Sequence, residues 1–546
     1  MHIMNRRKCI AALGAAVAGG LVLPSMLSAA DSVAEVSGTP STPLRRNHKC
    51  LYNLELHRLA FLPRGKTEFT PEYNKTYVTQ LAGSDVDAVM CCPMLYRSHM
   101  FPSEVDQWWK EYTRGQVTEK RRSYDYLMKY LYEGGDPLKD TLEECRKINV
   151  DFFISYRMNE WHYVHVKDFP THNPFWREHP EYWLADTDKP AYGGPDNVRL
   201  HNWLIPEVRE YYFSLLEEMA NKYDIDGIEF DFQRCWRLFH DEDIETGLPL
   251  LTEFVRRVRN MLDDLGKKRG KYLKLCVRSL DTVARCRKYG IDIADWDRQG
   301  FLDMITVSSC FIHSTEVGIE DYLEKTPGSL IYGEICHITN SDTYMGKKGF
   351  RYTQIEQYRA AALNYFARGA HGINFFNTDY VYELRPALNP ALVGITDVKF
   401  LQSQSKCYGI YSNSGPVATS LKARNSVRLP LIIGDDLSNT TMQRAVLRVE
   451  TVEKCDAAVI EVRLNGTVLK EFDNPDTELF PALIQGEARH FVFIEEPPAR
   501  DELKFYAVPL ALLHYGRNEL ELKRVEPEAD TITFYTLQLA LYAPNA

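Results

Sequence analysis

Several sequence features that commonly identify a binding site are missing from this chain. It has no Cys-x-x-Cys pair or Cys/His zinc spacing, no Gly-x-Gly-x-x-Gly turn after its first predicted strand, and no internal repeat. Nor does any His/Asp/Glu cluster show the spacing of a metal site. A structural zinc ion and a dinucleotide site therefore have no support from the sequence. We expect the protein to need neither a metal nor a cofactor.

Positive charge is also scarce. The 65 Lys and Arg residues are outnumbered by 75 Asp and Glu residues, which gives the 546-residue chain a net charge of −10. Proteins that bind nucleic acid or anionic lipid carry a basic surface or a long basic run, so we expect neither partner. Aromatic residues, in contrast, make up 12% of the chain. Their rings suit the flat apolar faces of sugars as well as a large core.

The N-terminal 30 residues are typical of an export signal. Arg6 and Arg7 precede an apolar stretch over residues 9–27, and small residues at 28–30 provide a cleavage site. We predict a signal peptide over residues 1–30, and the adjacent arginines indicate the twin-arginine route. A permanent membrane anchor is the alternative, because the apolar stretch is nearly long enough to span a bilayer. We expect an exported protein, periplasmic or extracellular, that leaves the membrane once the signal is cleaved.

The 12 cysteines are not spaced like a disulfide framework. Cys91 and Cys92 are adjacent, and Cys276, Cys310 and Cys336 lie in or at the end of apolar, strand-like stretches. We interpret most of the cysteines as small buried apolar residues. One or two disulfide bonds stay open as an alternative, because disulfides form readily outside the cytoplasm.

Residues 50–402 alternate short β-like stretches with longer helical ones, and they follow a linker-like segment, residues 31–49, that is rich in Ser, Thr, Pro and Val. Alternating strands and helices predict parallel strands joined by right-handed crossovers. Eight repeats over this length predict a (β/α)8 TIM barrel, with a doubly wound open sheet as the alternative. The predicted strands are 51–56, 86–91, 150–156, 227–232, 273–277, 304–308, 330–335 and 372–376, and the clearest helices are 205–223, 251–265 and 353–367.

Residues 403–546 have a different pattern. Short stretches of β-forming residues are separated by turn sequences such as Leu464-Asn465-Gly466. Short strands with regular turns predict an all-β sandwich domain. The predicted strands are 427–433, 445–452, 458–464, 490–494, 503–507, 519–523 and 532–542.

Strand alternation predicts which side chains enter the barrel. Active sites of such barrels lie at the C-terminal ends of the strands, and successive side chains of a strand point to opposite faces. In the fourth strand, Ile228, Phe230 and Phe232 share one face, which we expect to meet the helices. Glu229 and Asp231 then point inward. Two carboxylates inside a barrel need partners or a catalytic task.

The same alternation places further polar side chains inside the barrel. They come from the ends of six strands that are far apart in the chain, so their convergence indicates a functional mouth more strongly than any single pair. These residues are Glu55 and His57 in the first strand, Arg157 and Asn159 in the third with Trp161 following, Glu229 and Asp231 in the fourth, Arg278 in the fifth, Tyr332 and Glu334 in the seventh and Asn374 in the eighth.

The fourth strand also carries a family resemblance. The segment DGIEFDFQR, residues 226–234, resembles the DG-x-D-x-D strand of family 18 chitinase-like barrels, but Gln233 stands where that motif has its catalytic acid. A neutral amide cannot protonate a leaving oxygen, which argues against chitinase-type chemistry. The segment also resembles the DG-x-x-x-D-x-x-R strand of bacterial glycosyl hydrolase-like barrel proteins related to the α-amylase group, and it retains Asp231 and Arg234. This second resemblance, which we prefer, implies an exported glycoside hydrolase.

Glycoside hydrolysis needs two carboxyl groups beside the scissile bond. The resemblance to retaining barrel glycosidases places them at the ends of the fourth and seventh strands, which makes Asp231 and Glu334 the candidate catalytic residues. Asp231, ionised by Arg234 or Arg278, would suit the nucleophile. Glu334, beside Tyr332 and apolar neighbours, would suit the acid. Substrate-binding roles are predicted for Glu55, His57, Arg157, Asn159, Trp161, Glu229, Arg234, Arg278, Tyr332 and Asn374. Glu229 has the alternative of a structural residue paired with a barrel arginine.

Two other functions stay open at this stage. One is a weakly catalytic or non-catalytic barrel that binds glycans, and the other is a carbohydrate lyase that uses His57, Arg157 and a tyrosine. The C-terminal region is similar to galactose-binding-like jelly-roll modules over residues 461–466, 506–510 and 516–520. That resemblance implies either a sugar-binding module or a structural brace against the barrel.

Overall fold

The structure is a computed structural model. It describes residues 47–60, 68–115, 118, 122–186, 199–309, 316–341, 350–378, 390–410, 418–421, 425–456, 458–480, 498–525 and 531–544. The predicted signal peptide, most of the predicted linker and the predicted strand 490–494 lie outside these residues. No helix in the described part of the chain is long and apolar enough to cross a membrane.

Eight parallel strands close into a barrel. Each strand pairs with the next one in the chain, and β1 pairs with β8, so the sheet has no free edge. The predicted (β/α)8 barrel is confirmed, and the alternative of an open sheet is wrong. All eight predicted strands are present, with ends displaced by at most two residues. They are β1 Cys50–Glu55, β2 Ala88–Cys92, β3 Asp151–Arg157, β4 Gly227–Asp231, β5 Lys274–Ser279, β6 Met304–Val307, β7 Leu330–Cys336 and β8 Gly372–Phe376.

Helices connect these strands, and several begin with a capping residue followed by proline. Asp136 caps one of them by accepting a hydrogen bond from the backbone N of Lys139 at 3.0 Å, which satisfies an unpaired N–H of the first turn. The α-helices are α1 Pro71–Thr79, α2 Arg122–Tyr132, α3 Pro137–Lys147, α4 Pro174–Glu178, α5 Pro206–Lys222, α6 Ile244–Arg269, α7 Val283–Lys288, α8 Ile293–Arg298, α9 Ile319–Lys325, α10 Ile355–Ala367 and α11 Val398–Ser403.

The helix predicted over residues 251–265 is longer than expected, since α6 spans Ile244–Arg269. Gly247 and Pro249 both lie inside the helix, although glycine and proline disfavour helix interiors. A Cβ added to Gly247 would lie 2.6 Å from the ring of Phe239. The glycine therefore serves close packing here rather than ending the helix.

The interior of the barrel is arranged in levels. Because the strands are tilted and staggered, the inward residues of alternate strands lie at one level. The strand registers give five levels from the N-terminal end to the mouth. Level one holds Leu51, Phe153, Cys276 and Tyr332; level two holds Met90, Glu229, Thr306 and Asn374; level three holds Asn53, Ser155, Arg278 and Glu334; level four holds Cys92, Asp231, Ser308 and Phe376; level five includes Glu55, Arg157 and Cys336.

A hydrogen-bonded group closes the N-terminal end of the barrel. The buried imidazole of His48 accepts a hydrogen bond from Lys274 Nζ at 3.0 Å and donates one to Asp151 Oδ2 at 2.7 Å. Lys274 and Asp151 are the first residues of β5 and β3. The hydroxyl of Tyr332 donates to the carbonyl of His48 at 2.8 Å. Level one and this group therefore seal the end opposite the mouth.

The cysteines of the described residues are all buried and free of disulfide bonds. This agrees with their interpretation as small apolar core residues, and the alternative of a disulfide bond among them is wrong. They are Cys50, Cys91, Cys92, Cys145, Cys235, Cys276, Cys286, Cys336, Cys407 and Cys455.

The C-terminal region forms two antiparallel sheets, as predicted. Side chains of both sheets share one apolar core, for example Leu447 and Leu539 from one sheet and Leu520 from the other. On the barrel side, Asn364 of α10 donates a hydrogen bond to the carbonyl of Ile432 at 3.1 Å. The strands are β9 Lys406–Ile410, β10 Ala418–Leu421, β11 Ser426–Ile433, β12 Arg444–Thr451, β13 Ile460–Leu464, β14 Thr467–Val468, β15 Lys470–Phe472, β16 Leu503–Val508, β17 Gly516–Arg524 and β18 Ile532–Tyr542.

Candidate active site

The two candidate catalytic carboxylates share one partner at the mouth of the barrel. Nη1 of Arg278 donates to both oxygens of Asp231, at 3.0 and 3.2 Å. Nη2 of the same guanidinium donates to Oε1 of Glu334 at 3.0 Å, and its Nε donates to Oε2. The guanidinium also lies over the ring of Phe376, 3.8 Å from its centroid. All four side chains lie in levels three and four, so β4, β5, β7 and β8 together build this group.

The two carboxylates differ in their other contacts. Asp231 accepts a further hydrogen bond from the backbone N of Gln233 at 2.9 Å, whereas Glu334 accepts one from the hydroxyl of Ser308. Burial raises the pKa of Glu334, although Arg278 and Ser308 oppose the shift. The sequence predicted Arg234 or Arg278 as the partner of Asp231, and Arg278 is the one that binds it here.

Arg234 instead belongs to a second charged group, at level five. Its Nε donates to Oε1 of Glu55 at 3.0 Å, and Nη2 of Arg157 lies 2.8 Å from the same oxygen. Nδ1 of His57 lies 3.0 Å from the other oxygen. Burial opposes ionisation, yet Arg157, Arg234 and His57 hold the pKa of Glu55 well below its usual range. Glu55 is therefore an ionised carboxylate that orders the side chains around it.

Glu160 extends this group and was not among the residues predicted from the sequence. Its buried carboxylate is bound by Nη1 of Arg157 and Nδ1 of His162. Despite the burial, His162 and Arg157 keep the pKa of Glu160 well below its usual range. Glu160 lies three residues after Arg157, in a loop that follows an inward strand end. That spacing is the signal that could have identified it.

A strained tyrosine lies between the two histidines. Tyr96 has a φ of 56°, in the left-handed region that a bulky residue rarely adopts. Its ring centroid is 5.8 Å from that of His57 and 5.3 Å from that of His162. Such strain persists where the surroundings impose it, often at a functional site. Tyr96 was not among the predicted residues, because a backbone angle is not visible in a sequence.

Three predicted substrate-binding residues lie in different surroundings from the rest. Tyr332 points to the opposite end of the barrel, at level one. The side-chain amide of Asn159 is used inside the protein, where its Nδ2 donates to the carbonyls of His201 and Arg237 at 2.9 and 3.0 Å. Asn374 lies deep, at level two, and donates to the hydroxyl of Thr306 at 3.3 Å. None of the three is therefore aligned with the charged groups of the mouth.

Trp161 lies on the rim beside a second tryptophan. Its half-buried ring meets Trp236 edge to face, with centroids 5.5 Å apart, and Trp236 lies 5.9 Å from Tyr289. These rings follow β3, β4 and the helix after β5, so they form an aromatic row along one side of the mouth. Trp236 was missed because it lies in a loop, where alternation makes no prediction.

Glu229 is completely buried at level two. The hydroxyl of Ser155 donates to its Oε1 at 2.7 Å, and its Oε2 has no hydrogen-bond partner. The alternative in which a barrel arginine pairs directly with Glu229 is wrong. Arg278 instead donates its hydrogen bonds to Asp231 and Glu334. Burial raises the pKa of Glu229 to about 8, with the neighbouring Asp231 adding to the shift.

Within the described residues, no cluster of His, Cys, Asp or Glu could hold a metal ion.

Residues 55–239 match the model of the family glycosyl hydrolase-like 10 (GHL10). The matched segment runs from the end of β1 to the loop after β4, so it contains Glu55, Arg157 and Asp231. The predicted resemblance to glycosyl hydrolase-like barrel proteins is confirmed by this match. No curated protein matches the chain.

The chain is also similar to solved structures of glycoside hydrolases. One is α-L-fucosidase isoenzyme 2 from Paenibacillus thiaminolyticus, with 13% identity and a TM-score of 0.39 over 61% of this chain and 46% of that one. The PgaB (BpsB) glycoside hydrolase domain from Bordetella bronchiseptica has 10% identity and a TM-score of 0.42, over 64% of this chain and 98% of that one. The maltogenic α-amylase AmyB from Thermotoga neapolitana has 12% identity and a TM-score of 0.35, over 88% of this chain and 99% of that one. The chain spans less than half of the length of that fucosidase.

Proposed function

We propose that this protein, whose barrel matches the glycosyl hydrolase-like 10 model over residues 55–239, hydrolyses O-glycosidic bonds of a polysaccharide or oligosaccharide with Asp231 and Glu334. One observation carries the proposal: Arg278 binds both carboxylates at the mouth. Carboxyl groups from two strands are thereby brought to one place, which is what glycoside hydrolysis requires.

The contacts of the two carboxylates favour different roles. Arg278 and the backbone N of Gln233 stabilise negative charge on Asp231, which suits a nucleophile. The raised pKa of Glu334 favours a proton donor. In this assignment the glycosidic C–O bond breaks as Glu334 protonates the leaving oxygen and Asp231 bonds to the anomeric carbon. A water molecule then displaces Asp231 and returns a proton to Glu334.

The rest of the predicted organisation belongs to the same proposal. We infer that residues 1–30 direct export to the periplasm or beyond, that residues 50–402 form the catalytic barrel, and that residues 403–546 form an accessory sandwich. The contact of α10 with Ile432 favours a brace for the sandwich. His57, Arg234 and Trp161, at level five and on the rim, are proposed to contact the sugar.

A carbohydrate lyase is the second candidate, and one observation favours it. His57 and His162 are each bound to a buried, ionised glutamate, and both lie against the ring of Tyr96. A carboxylate-oriented imidazole and a phenol are the groups that remove and deliver protons in general acid–base catalysis. β-Elimination would leave an unsaturated uronate, whose absorbance separates it from hydrolysis.

The test is a product-profile assay of the full chain on plant, algal and microbial glycans. Release of reducing ends by the native protein is expected, with loss of at least 100-fold in Asp231→Asn and Glu334→Gln. Tyr332→Phe is the matched control, because its hydroxyl lies at the opposite end of the barrel. Normal turnover in both carboxylate variants would rule out this mechanism. Binding without cleavage would favour a glycan-binding barrel, and unsaturated products would favour the lyase.

A further inference from the structure

The middle of the barrel interior contains polar atoms with no partner in the protein. They are Oε2 of Glu229 and Oδ1 of Asn374 at level two, and both side-chain polar atoms of Asn53 at level three. All three residues are at most 1% exposed. Buried polar atoms of this kind normally pair with ordered water. These three residues, Asn53, Glu229 and Asn374, define what we call the polar chamber, which lies below Asp231 at level four and beside and below Glu334 at level three.

The middle of the barrel interior contains more acidic side chains than basic ones. Of the twelve inward residues at levels two, three and four, Arg278 is the one cation, while Glu229, Asp231 and Glu334 are acids. Arg278 donates to Asp231 and Glu334 through three of its nitrogens. Glu229 has only the neutral hydroxyl of Ser155 as a donor. An ionised Glu229 would therefore compete with the other two carboxylates for the same guanidinium.

A comparison within the same barrel shows why Glu229 differs from other buried acids. Glu55 is equally buried, but two arginines and a histidine favour its charged form. No cation binds Glu229 directly, so desolvation is the dominant influence on its carboxyl group and favours the neutral form. The groups that face it are Ser155 on β3, Asp231 on its own strand, Cys276 and Arg278 on β5 and Glu334 on β7.

We propose that Glu229 is a positioning residue that stays protonated in the polar chamber and thereby keeps Arg278 directed at Asp231 and Glu334. Its neutral carboxyl group accepts from Ser155 and donates to water held with Asn53 and Asn374. Loss of this proton would draw the guanidinium down from the catalytic pair. The inference rests on the proposed function for its catalytic consequence, but the protonation of Glu229 is measurable without a substrate.

The first test is infrared difference spectroscopy of the native protein against Glu229→Gln. We expect a protonated-carboxyl C=O band at pH 7 that is missing in the variant and disappears from the native protein as the pH rises through about 8. Glu210→Gln is the control, because the guanidinium of Arg257 donates to the Glu210 carboxylate at 2.9 Å and lowers its pKa, so this group should contribute no such band. The absence of a band difference for Glu229→Gln would overturn the inference.

Stability against pH gives a second, independent measurement. A carboxyl group whose pKa is raised by folding stabilises the native state fully below its unfolded pKa, about 4.5 for glutamate, and this stabilisation is lost as the pH rises through the folded pKa. The temperature of the unfolding midpoint should therefore decrease as the pH rises from 4.5 to about 8. Glu229→Gln should make this decrease smaller.

If Glu229→Gln does not fold, Ser155→Ala serves instead: loss of the hydrogen bond to the carboxylate should move the infrared titration to higher pH. An unmoved titration in Ser155→Ala would contradict the assignment.

Activity then separates the inference from the proposed function. With a cleaved glycan, Glu229→Gln should lose the decline in activity near pH 8. If activity still declines near pH 8 in Glu229→Gln, another group causes the decline, and the positioning role of Glu229 is overturned. If no glycan is cleaved, the proposed function fails while the infrared and stability measurements still decide the state of Glu229.

Discussion

The carboxylates of Asp231 and Glu334 are hydrogen-bonded to the same guanidinium, although 103 positions of the chain separate β4 from the middle of β7. A single cation between two carboxylates holds both in place and limits their repulsion. The arrangement makes Arg278 as important for the site as either acid.

Replacing Arg278 is therefore expected to damage both stability and activity. In Arg278→Met two buried carboxylates lose their cation, a change that costs about 3–5 kcal/mol in comparable buried pairs. Urea denaturation and turnover on a cleaved glycan measure the two effects, and we expect turnover to fall about 100-fold or more. Arg278→Lys keeps the charge but not the planar fork, so it should restore stability better than turnover. Native turnover in Arg278→Met would contradict the shared role.

The aromatic row along the rim predicts a contribution to binding. Trp236→Ala removes a half-buried ring beside Trp161 and should weaken glycan binding by about 1 kcal/mol, roughly fivefold in Kd. Calorimetric titration measures this effect. Trp109→Ala is the control, because Trp109 is half-buried as well but its indole N–H is tied to the carbonyl of Ser103 at 2.8 Å. Equal losses in both variants would point to a general effect on the fold.

Tyr332→Phe should separate the two ends of the barrel. It deletes the hydrogen bond to the carbonyl of His48, a net loss of about 1 kcal/mol in stability. Thermal unfolding should therefore shift downward, while kcat and KM stay at their native values. A selective rise in KM would place Tyr332 in the substrate site after all.

The buried cysteines predict resistance to thiol reagents. Burial raises the pKa of the Cys50 and Cys91 thiols well above the usual range, so little reactive thiolate forms. A thiol-specific colorimetric reagent should leave the ten described cysteines unmodified in the native protein and label them after denaturation. Reductant should leave the unfolding midpoint unchanged. Rapid labelling of Cys50 or Cys91 in the native state would show that the barrel opens.

The alternation of side chains along each strand was sufficient to predict which residues of the site point into the barrel. Asp231, Arg278 and Glu334 were identified this way because the period of two is a local property of a strand. Alternation gives the face of a residue but not its level, which is why Tyr332 was expected at the mouth and lies at level one. Levels depend on the stagger between strands that are distant in the chain.

Partners across the barrel were harder to predict for the same reason. Arg234 was one of the two expected partners of Asp231, three residues away, yet it binds Glu55, which lies 179 positions earlier. Only the closed register of β1 with its neighbours brings these two side chains together. Glu160, in contrast, was within reach of sequence reasoning, since its spacing from Arg157 is local.

The sealed lower end of the barrel decides how the protein can be attached to a support. His48 is held between the first residues of β3 and β5, so the chain enters the barrel from the side opposite the mouth. A tether or resin linked ahead of His48 therefore holds the molecule with its mouth turned outward to the medium. Long, surface-bound glycans could then reach Asp231 without passing the point of attachment.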